Sequence, residues 1–157
     1  MSISRYQKLF GVGPLGLLIS LAALGVLLLL DVNVHHAKIS SQPGIIRTIG
    51  LVLILIWICW HSWCMRTISR WWRHDQLCMT GPYRFVRHPI YAGGIFLGAI
   101  GIGLLFNSWI VLLLPALMYP TYSILVRKEE MMMIAVFGEE YRRYASRTGR
   151  LFPRRFK

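Results

Sequence analysis

The chain has 157 residues, 55% of them hydrophobic, and carries 18 lysine and arginine residues against 6 acidic ones. A mean hydropathy of +0.51 and long uncharged runs exclude an ordinary soluble domain. The net charge of +12 does not predict nucleic-acid binding, because the basic residues lie between apolar runs and no recognition-helix or zinc-finger pattern accompanies them.

Four apolar segments follow along the chain, at residues 9–30, 44–65, 90–106 and 109–126. A helix needs about 20 such residues to cross a hydrocarbon core of roughly 30 Å. The basic residues before the first segment also fit a cleaved signal peptide. That segment is longer than the usual apolar region of about 7–15 residues, however, and no cleavage pattern follows, so we favour a retained span. These segments predict an all-α integral membrane protein with one membrane domain, residues 1–157, and about four transmembrane helices.

The third and fourth segments are separated by only two residues, 107–108. So short a connection predicts an antiparallel helical hairpin. Gly94 and Gly98 form a G-x-x-x-G pair that permits another backbone to approach closely, although ordinary helix packing also accounts for Gly98. Pro115 and Pro120 predict a kink in the fourth helix.

The basic residues also predict an orientation in the membrane. The N-terminal residues 1–8, the 66–89 gap and the tail from residue 127 hold two, five and nine lysines and arginines, whereas the 31–48 gap holds two. With four spans, this distribution places both termini in the cytoplasm, next to anionic lipid headgroups. Residues 1–79 then contribute two helices, and residues 80–157 the hairpin and a cytoplasmic helix. Three cysteines without a C-x-x-C pair, and no targeting segment, favour a prokaryotic inner membrane.

The tail has the pattern of an amphipathic helix rather than of a disordered basic arm. Four apolar residues recur at helical spacing and share one face: Ile134, Phe137, Tyr141 and Tyr144. Gly149 and Pro153 supply a stop signal. The fourth helix is therefore expected to continue past the membrane surface.

Two polar clusters are predicted on the cytoplasmic side. The first precedes and opens the third segment: Tyr83, Arg84, Arg87, His88 and Tyr91. The second, with Glu129 and Glu130, follows the fourth segment. Because the two segments form a hairpin, the clusters should lie close together. Pro89 disfavours helical geometry at His88, so the basic residues should lie on a turn.

Each cluster also has a simpler interpretation. The arginines of the first could anchor the chain to lipid phosphates, but acidic residues in a basic rim are unexpected on that view. Glu129 and Glu130 are about 100° apart on a helix, so one can pair with a neighbouring base while the other faces a pocket. Residues 139–140 fit a solvated face, and the histidines at 35, 36, 61 and 74 fit structural roles. The cysteines give no metal site. From these residues alone we predict a small polar site at the cytoplasmic mouth of a four-helix bundle.

The stretch "GPYRFVRHPIYAGG", the short hairpin, "EE...FGEEYRRY" and a final "LFP" resemble the isoprenylcysteine carboxyl methyltransferase and phospholipid methyltransferase families. The resemblance covers residues 80–153 and keeps the order of the motifs. It implies a membrane enzyme that binds S-adenosylmethionine at the cytoplasmic end of the bundle and methylates a lipophilic acceptor from the bilayer.

The resemblance also implies roles for single residues. Cofactor contacts would come from Tyr83, Arg87, His88, Pro89, Tyr91, Glu129 and Glu130. Arg87 would hold a carboxylate of the cofactor or of the acceptor. The two glutamates would bind the amino or ribose hydroxyl groups of the cofactor. Arg87 and Glu130 are the candidate catalytic residues. Phe137 and Tyr141, together with Tyr83, would shape the pocket.

Three functions therefore remain open. A membrane methyltransferase comes first, acting on an isoprenylcysteine carboxylate or a phospholipid amine; only an amine acceptor would need a base such as Glu129, Glu130 or His88. Sterol-type reductases, which use NADPH, carry a similar C-terminal hairpin, but this chain is short for such ligands. A non-catalytic module that binds lipid or cofactor is the third.

Overall fold

The computed structural model describes residues 12–34, 37–72 and 74–154, without the side chain of Trp72. Four long helices account for most of them: α1 (Gly13–Asn33), α2 (Pro43–Trp72), α3 (Pro89–Phe106) and α4 (Leu114–Arg147). Short 3-10 turns occupy Gly81–Arg84 and Val111–Leu113. No strand occurs in these ranges beyond two isolated bridges, so the predicted all-α class is confirmed for them.

Three helices, α1, α2 and α3, are long and apolar enough to cross a membrane. They correspond to the first three predicted segments, although residues 9–11 of the first segment, and also His35 and His36, lie outside the described residues. The fourth segment does not form a helical span of its own. Its first residues form the 3-10 turn, α4 begins only at Leu114, and charged residues start at Arg127. A fourth crossing stays a prediction.

Helix α3 is irregular where it packs on α2. Its middle, Gly94–Ala99, is π-helical, a form that usually occurs as a short insertion. The expected close approach of two backbones is not at Gly98, where a Cβ atom would lie 3.0 Å from the ring of Trp57. It occurs one turn later, where a Cβ on Gly101 would lie 3.0 Å from the carbonyl oxygen of Gly50. Small residues therefore admit a tryptophan ring at one level and a backbone at the next.

The hairpin between α3 and α4 is confirmed. Asn107 ends α3 in the left-handed conformation, with φ 53°, and its side chain exchanges hydrogen bonds with the backbone of Ser40, at 3.1 and 2.8 Å. A residue in this conformation is a common helix terminus. At the same end, the buried carboxylate of Asp31 accepts a hydrogen bond from the hydroxyl of Ser108, which joins α1 to the hairpin.

The two prolines that predicted a kink lie at different places in α4. Pro115 lies in the first turn, where a missing N–H costs nothing. Pro120 lies inside the helix, so a kink there stays a prediction. Non-helical backbone angles occur at Gly138, with φ 54° and ψ −125°. These dihedral angles are open mainly to glycine. The tail is nevertheless helical to Arg147, as its spacing predicted.

Helix α4 returns along α3 and α1. Its Leu114 packs with Leu27 and Ala99, and its Tyr122 ring lies 4.9 Å from that of Tyr91 near the start of α3. Residues 90 and 126 are therefore at the same end of the bundle, and the two polar clusters meet there.

Candidate cofactor-binding site

The turn before α3 is held by a segment that follows α4. Residues 148–151 run beside residues 86–88, with a parallel bridge between Val86 and Gly149. The backbone N–H of Arg87 donates to the Gly149 carbonyl at 2.8 Å, and that of His88 to the Arg150 carbonyl at 3.1 Å. His88 is non-helical, with φ −122° and ψ 63°, and Pro89 begins the helix, as expected before proline.

Glu129 lies at the centre of one half of the site. Its Oε1 accepts hydrogen bonds from the Tyr91 hydroxyl and from the backbone N–H of Val12, both at 2.7 Å. Its Oε2 lies 3.2 Å from Nδ1 of His88. The carboxylate therefore joins the N-terminal end of α1, the start of α3 and the middle of α4.

Glu130 is held by two arginines. Its Oε1 accepts a hydrogen bond from Nε of Arg87 at 2.8 Å, and its Oε2 one from Nε of Arg150 at 3.0 Å. Arg87 also donates to the carbonyl oxygens of Ala145, at 2.9 Å, and of Thr148. Neither carboxylate oxygen of Glu130 is left without a charged donor. Glu130 thus pairs with the two arginines, and Arg87 joins the Glu130 carboxylate to the C-terminal end of α4.

The imidazole of His88 lies between the two acids. Its Nε2 is 3.5 Å from Oε1 of Glu130, while Nδ1 faces Glu129. Although adjacent glutamates diverge by about 100° on a helix, both reach this one ring. The His88 ring also stacks on Tyr91, with centroids 5.9 Å apart.

The ionisation of the cluster follows from these contacts. Burial lowers the pKa of His88, but the hydrogen bonds and charges of Glu129 and Glu130 outweigh burial, so the net pKa is raised. Burial is the largest single influence on each glutamate and raises its pKa, but the contacts with His88 and other neighbours together outweigh burial. The Val12 N–H and Tyr91 assist at Glu129, and Arg150 and Arg87 at Glu130, so both pKa values are lowered. The glutamates are therefore charged at neutral pH, and the raised pKa of His88 favours its protonated form.

Two buried polar atoms of the site are poorly satisfied by the described residues. The Tyr83 hydroxyl has no hydrogen-bond partner among them, and His88 Nε2 has only its long contact of 3.5 Å with Glu130. Tyr83 is nearly inaccessible, at 5% exposure, and its backbone oxygen accepts a hydrogen bond from the Tyr144 hydroxyl at 2.6 Å. Burial, followed by neighbouring ionisable groups, raises the pKa of the Tyr83 hydroxyl, so it remains a neutral donor. Unpartnered buried donors are costly, and they fit a site that receives a polar ligand.

Sequence reasoning missed two side chains that build the site. Arg150 follows the end of α4, where no periodicity marks it, and its contact with Glu130 depends on the path of residues 148–151. Trp60 lies within the second apolar segment, and its Nε1 donates to the Pro89 carbonyl at 2.8 Å. Gly93 makes room for it, since a Cβ there would lie 2.5 Å from the ring. The helical spacing of Trp57, Trp60 and Trp63 was the available signal for a shared face.

Arg84 and Phe137 lie outside the cluster, whereas Tyr141 borders it. Arg84 is exposed and its guanidinium lies 5.5 Å from the Phe85 ring centroid, while Phe137 lines a separate groove with Trp71 and Glu140. Tyr141 is buried beside Tyr144; burial raises its pKa, and the charge of Glu130 adds to the shift. The exposed pair of Glu139 and Arg142, at 3.2 Å, fits the predicted solvated face.

The chain is similar to one protein family and to two curated bacterial proteins. The family model for phospholipid methyltransferases matches residues 45–140, a range that holds most of the polar cluster. The cobalt-zinc-cadmium resistance protein CzcN of Cupriavidus metallidurans is 32% identical over 114 residues, 70% of this chain and 50% of that protein. The nickel-cobalt-cadmium resistance protein NccN of Alcaligenes xylosoxydans xylosoxydans is 34% identical over 111 residues, 68% and 49% of the two chains.

The chain therefore spans about half the length of the curated relatives it matches. No solved structure matches it. Since the family model covers more than half of its residues, the chain belongs to the phospholipid methyltransferase family, as its motifs indicated.

Proposed function

We propose that this family member transfers the methyl group of S-adenosylmethionine to a lipophilic acceptor that reaches the polar cluster from the bilayer. The observation that carries the proposal is the buried cluster of Arg87, His88, Glu129 and Glu130 at one end of the apolar helices. Buried ionisable groups in such a position are usually functional, and the family match includes all four.

The residues present fit the polar parts of this cofactor. The ionised carboxylate of Glu129 can accept hydrogen bonds from an ammonium group or from ribose hydroxyls, and Tyr91 orients it. Tyr83 offers a buried hydroxyl that no described residue uses, and His88 Nε2 has only a long contact with Glu130. Arg87 and Arg150 balance the charges of the two glutamates, so protonation of His88 leaves one positive charge, which suits the cofactor's carboxylate. Bound there, the cofactor would supply an electrophilic sulfonium methyl group.

The protonation of the cluster favours an acceptor that is already nucleophilic. Glu130 has a lowered pKa and is bound by two arginines, so it is not tuned to remove a proton at neutral pH. The raised pKa of His88 favours its protonated form, which cannot accept a proton. A carboxylate acceptor requires no base, whereas an amine would have to arrive deprotonated. In this arrangement Glu130 positions Arg87 and Arg150, and the protein contributes mainly by aligning the acceptor and excluding water.

Methyl transfer can be tested directly with the purified full chain in detergent. Radiolabelled S-adenosylmethionine is incubated with the protein and a total lipid extract, and label in the organic phase is counted. We expect incorporation by the wild type and by Glu139→Gln, an exposed change on the same helix, but little by Glu129→Gln. Incorporation unaffected by Glu129→Gln, or none by a folded wild type across extracts, would refute the proposal.

The family assignment favours this function over a nicotinamide-dependent reductase. The two can be separated by titrating the protein with NADPH and following nicotinamide fluorescence. Methyl transfer predicts no saturable change, and a saturable change competed by a sterol would favour the reductase. Binding of S-adenosylmethionine without transfer would favour the non-catalytic module.

A second candidate is a contribution to metal resistance, which is favoured by the printed names of both curated relatives. If that contribution depends on methyl transfer, wild-type protein should raise the growth of a metal-sensitive bacterium in cobalt, zinc or cadmium, and Glu129→Gln should not. Equal protection by the variant would separate resistance from methyl transfer.

A further inference from the structure

A groove of about 490 Å³ lies on the outer side of the polar cluster, between α4 and the segment that follows it. Its apolar wall includes Tyr119, Ile124 and Leu151, and its polar groups are Ser123, Arg127 and Arg150. Of the described residues in the proposed methyl-transfer site, only Arg150 lines the groove. Arg150 binds Glu130 from the groove side.

The charge of the groove selects an anion. Arg127 is exposed and makes no ion pair with any described residue. Arg150 shares the single carboxylate of Glu130 with Arg87, so its charge is only partly compensated. Among the residues that the structure describes, no acidic one lines the groove. An ammonium group would therefore find no carboxylate there, whereas a phosphate would find two guanidinium groups, which match phosphate geometry well.

The position of the groove selects a lipid rather than a soluble anion. Helix α4 changes at this level from the apolar residues 114–126 to charged residues that begin at Arg127. Ile124 is 63% exposed, and Tyr119 and Phe152 are exposed beside it. The rings of Phe96, Tyr119 and Phe152 form an aromatic cluster along the same edge, with centroids 4.4 to 6.3 Å apart. An acyl chain can thus lie on apolar surface while its phosphate meets the arginines.

We propose that this groove binds an anionic phospholipid, with the phosphate between Arg127 and Arg150 and a chain along the wall at Tyr119 and Ile124. The groove lies outside the buried cluster and meets it at Arg150, so binding of a lipid there does not depend on the proposed methyl transfer. A lipid phosphate at Arg150 competes with Glu130 for the same guanidinium. Lipid binding therefore loosens one side of the cluster that holds His88, and the lipid composition of the membrane regulates that site.

The proposal can be tested by calorimetric titration of the delipidated full chain in detergent with dioctanoyl phosphatidylglycerol. Dioctanoyl phosphatidylcholine, which has the same chains and phosphate plus a cation, and inorganic phosphate serve as comparison ligands. We expect saturable binding of phosphatidylglycerol and much weaker binding of the other two. Arg127→Gln should lower the affinity about fivefold, which corresponds to about 1 kcal/mol per basic residue at a lipid surface.

Two further variants make the test specific. Lys128→Gln removes the same charge at the same depth from a neighbouring exposed position outside the groove, and it should leave the affinity unchanged. Ser123→Leu keeps both arginines but narrows the groove, and it should weaken binding. Any one of four results would overturn the proposal. The two lipids could bind equally well, or inorganic phosphate could bind as tightly as phosphatidylglycerol. Lys128→Gln could lower the affinity as much as Arg127→Gln, or Ser123→Leu could leave it unchanged.

Discussion

Glu130→Gln tests the energetics of the polar cluster most sharply, because the two arginines bound to this residue differ in exposure. The side chains of Glu130 and Arg87 are 10% and 11% exposed, whereas that of Arg150 is 37% exposed. Removing one partner of a buried pair costs about 3–5 kcal/mol, since the other charge stays buried without compensation. An exposed pair contributes only about 0–1 kcal/mol. The cost should therefore come mainly from Arg87.

We expect Glu130→Gln to lower the free energy of unfolding by about 3 kcal/mol, at the low end because the glutamine carbonyl still accepts one hydrogen bond. Arg150→Gln should cost about 1 kcal/mol or less. The assay is titration of the protein in mixed micelles with sodium dodecyl sulfate, followed by near-ultraviolet circular dichroism. Glu139→Gln, which breaks an exposed pair on the same helix, is the control and should cost less than about 1 kcal/mol. If Glu130→Gln cost no more than this control, the reasoning would be refuted.

Three further predictions follow from the structure. Because its pKa is raised above 6.5, His88 should stabilise the fold fully below about pH 6.5 and lose that contribution as the pH rises through the raised pKa. The pKa of Glu129 is lowered below 4.5, so Glu129 should lose its contribution only as the pH falls through the lowered pKa. A pH series of unfolding free energies checks both, and a slope above pH 6.5 that persists in His88→Asn would contradict the first. Gly101→Ala should destabilise the protein by about 1–3 kcal/mol, because the added Cβ meets the backbone of α2. Gly25→Ala should not destabilise it, because nothing lies within 4 Å of a Cβ there. Equal effects of the two variants in thermal unfolding would contradict the packing described. His88→Ala and Glu130→Ala should each weaken S-adenosylmethionine binding in calorimetry while far-ultraviolet circular dichroism retains the helices, and wild-type affinity in both would remove the site assignment.

The helices and the location of the polar cluster were predictable from the sequence for physical reasons. Long apolar runs have few folded solutions in lipid other than helices. A connection of two residues between the third and fourth runs requires an antiparallel return, and this return brings His88 and Glu129 to one end of the bundle.

Other features depended on tertiary structure that no local pattern encodes. Arg150 contacts Glu130 only because residues 148–151 turn back beside residues 86–88. That Pro115 lies in the first turn, where a proline is harmless, depends on where α4 begins. Trp60 reaches the Pro89 carbonyl only because Gly93 leaves space for its ring.

The central claim, that the polar cluster binds S-adenosylmethionine, is tested most directly by calorimetric titration of the detergent-purified protein with S-adenosylmethionine and with S-adenosylhomocysteine. The account predicts saturable binding of both, weakened in Glu129→Gln and unchanged in Glu139→Gln. Absence of binding by either ligand, in a protein shown by circular dichroism to be folded, would contradict it.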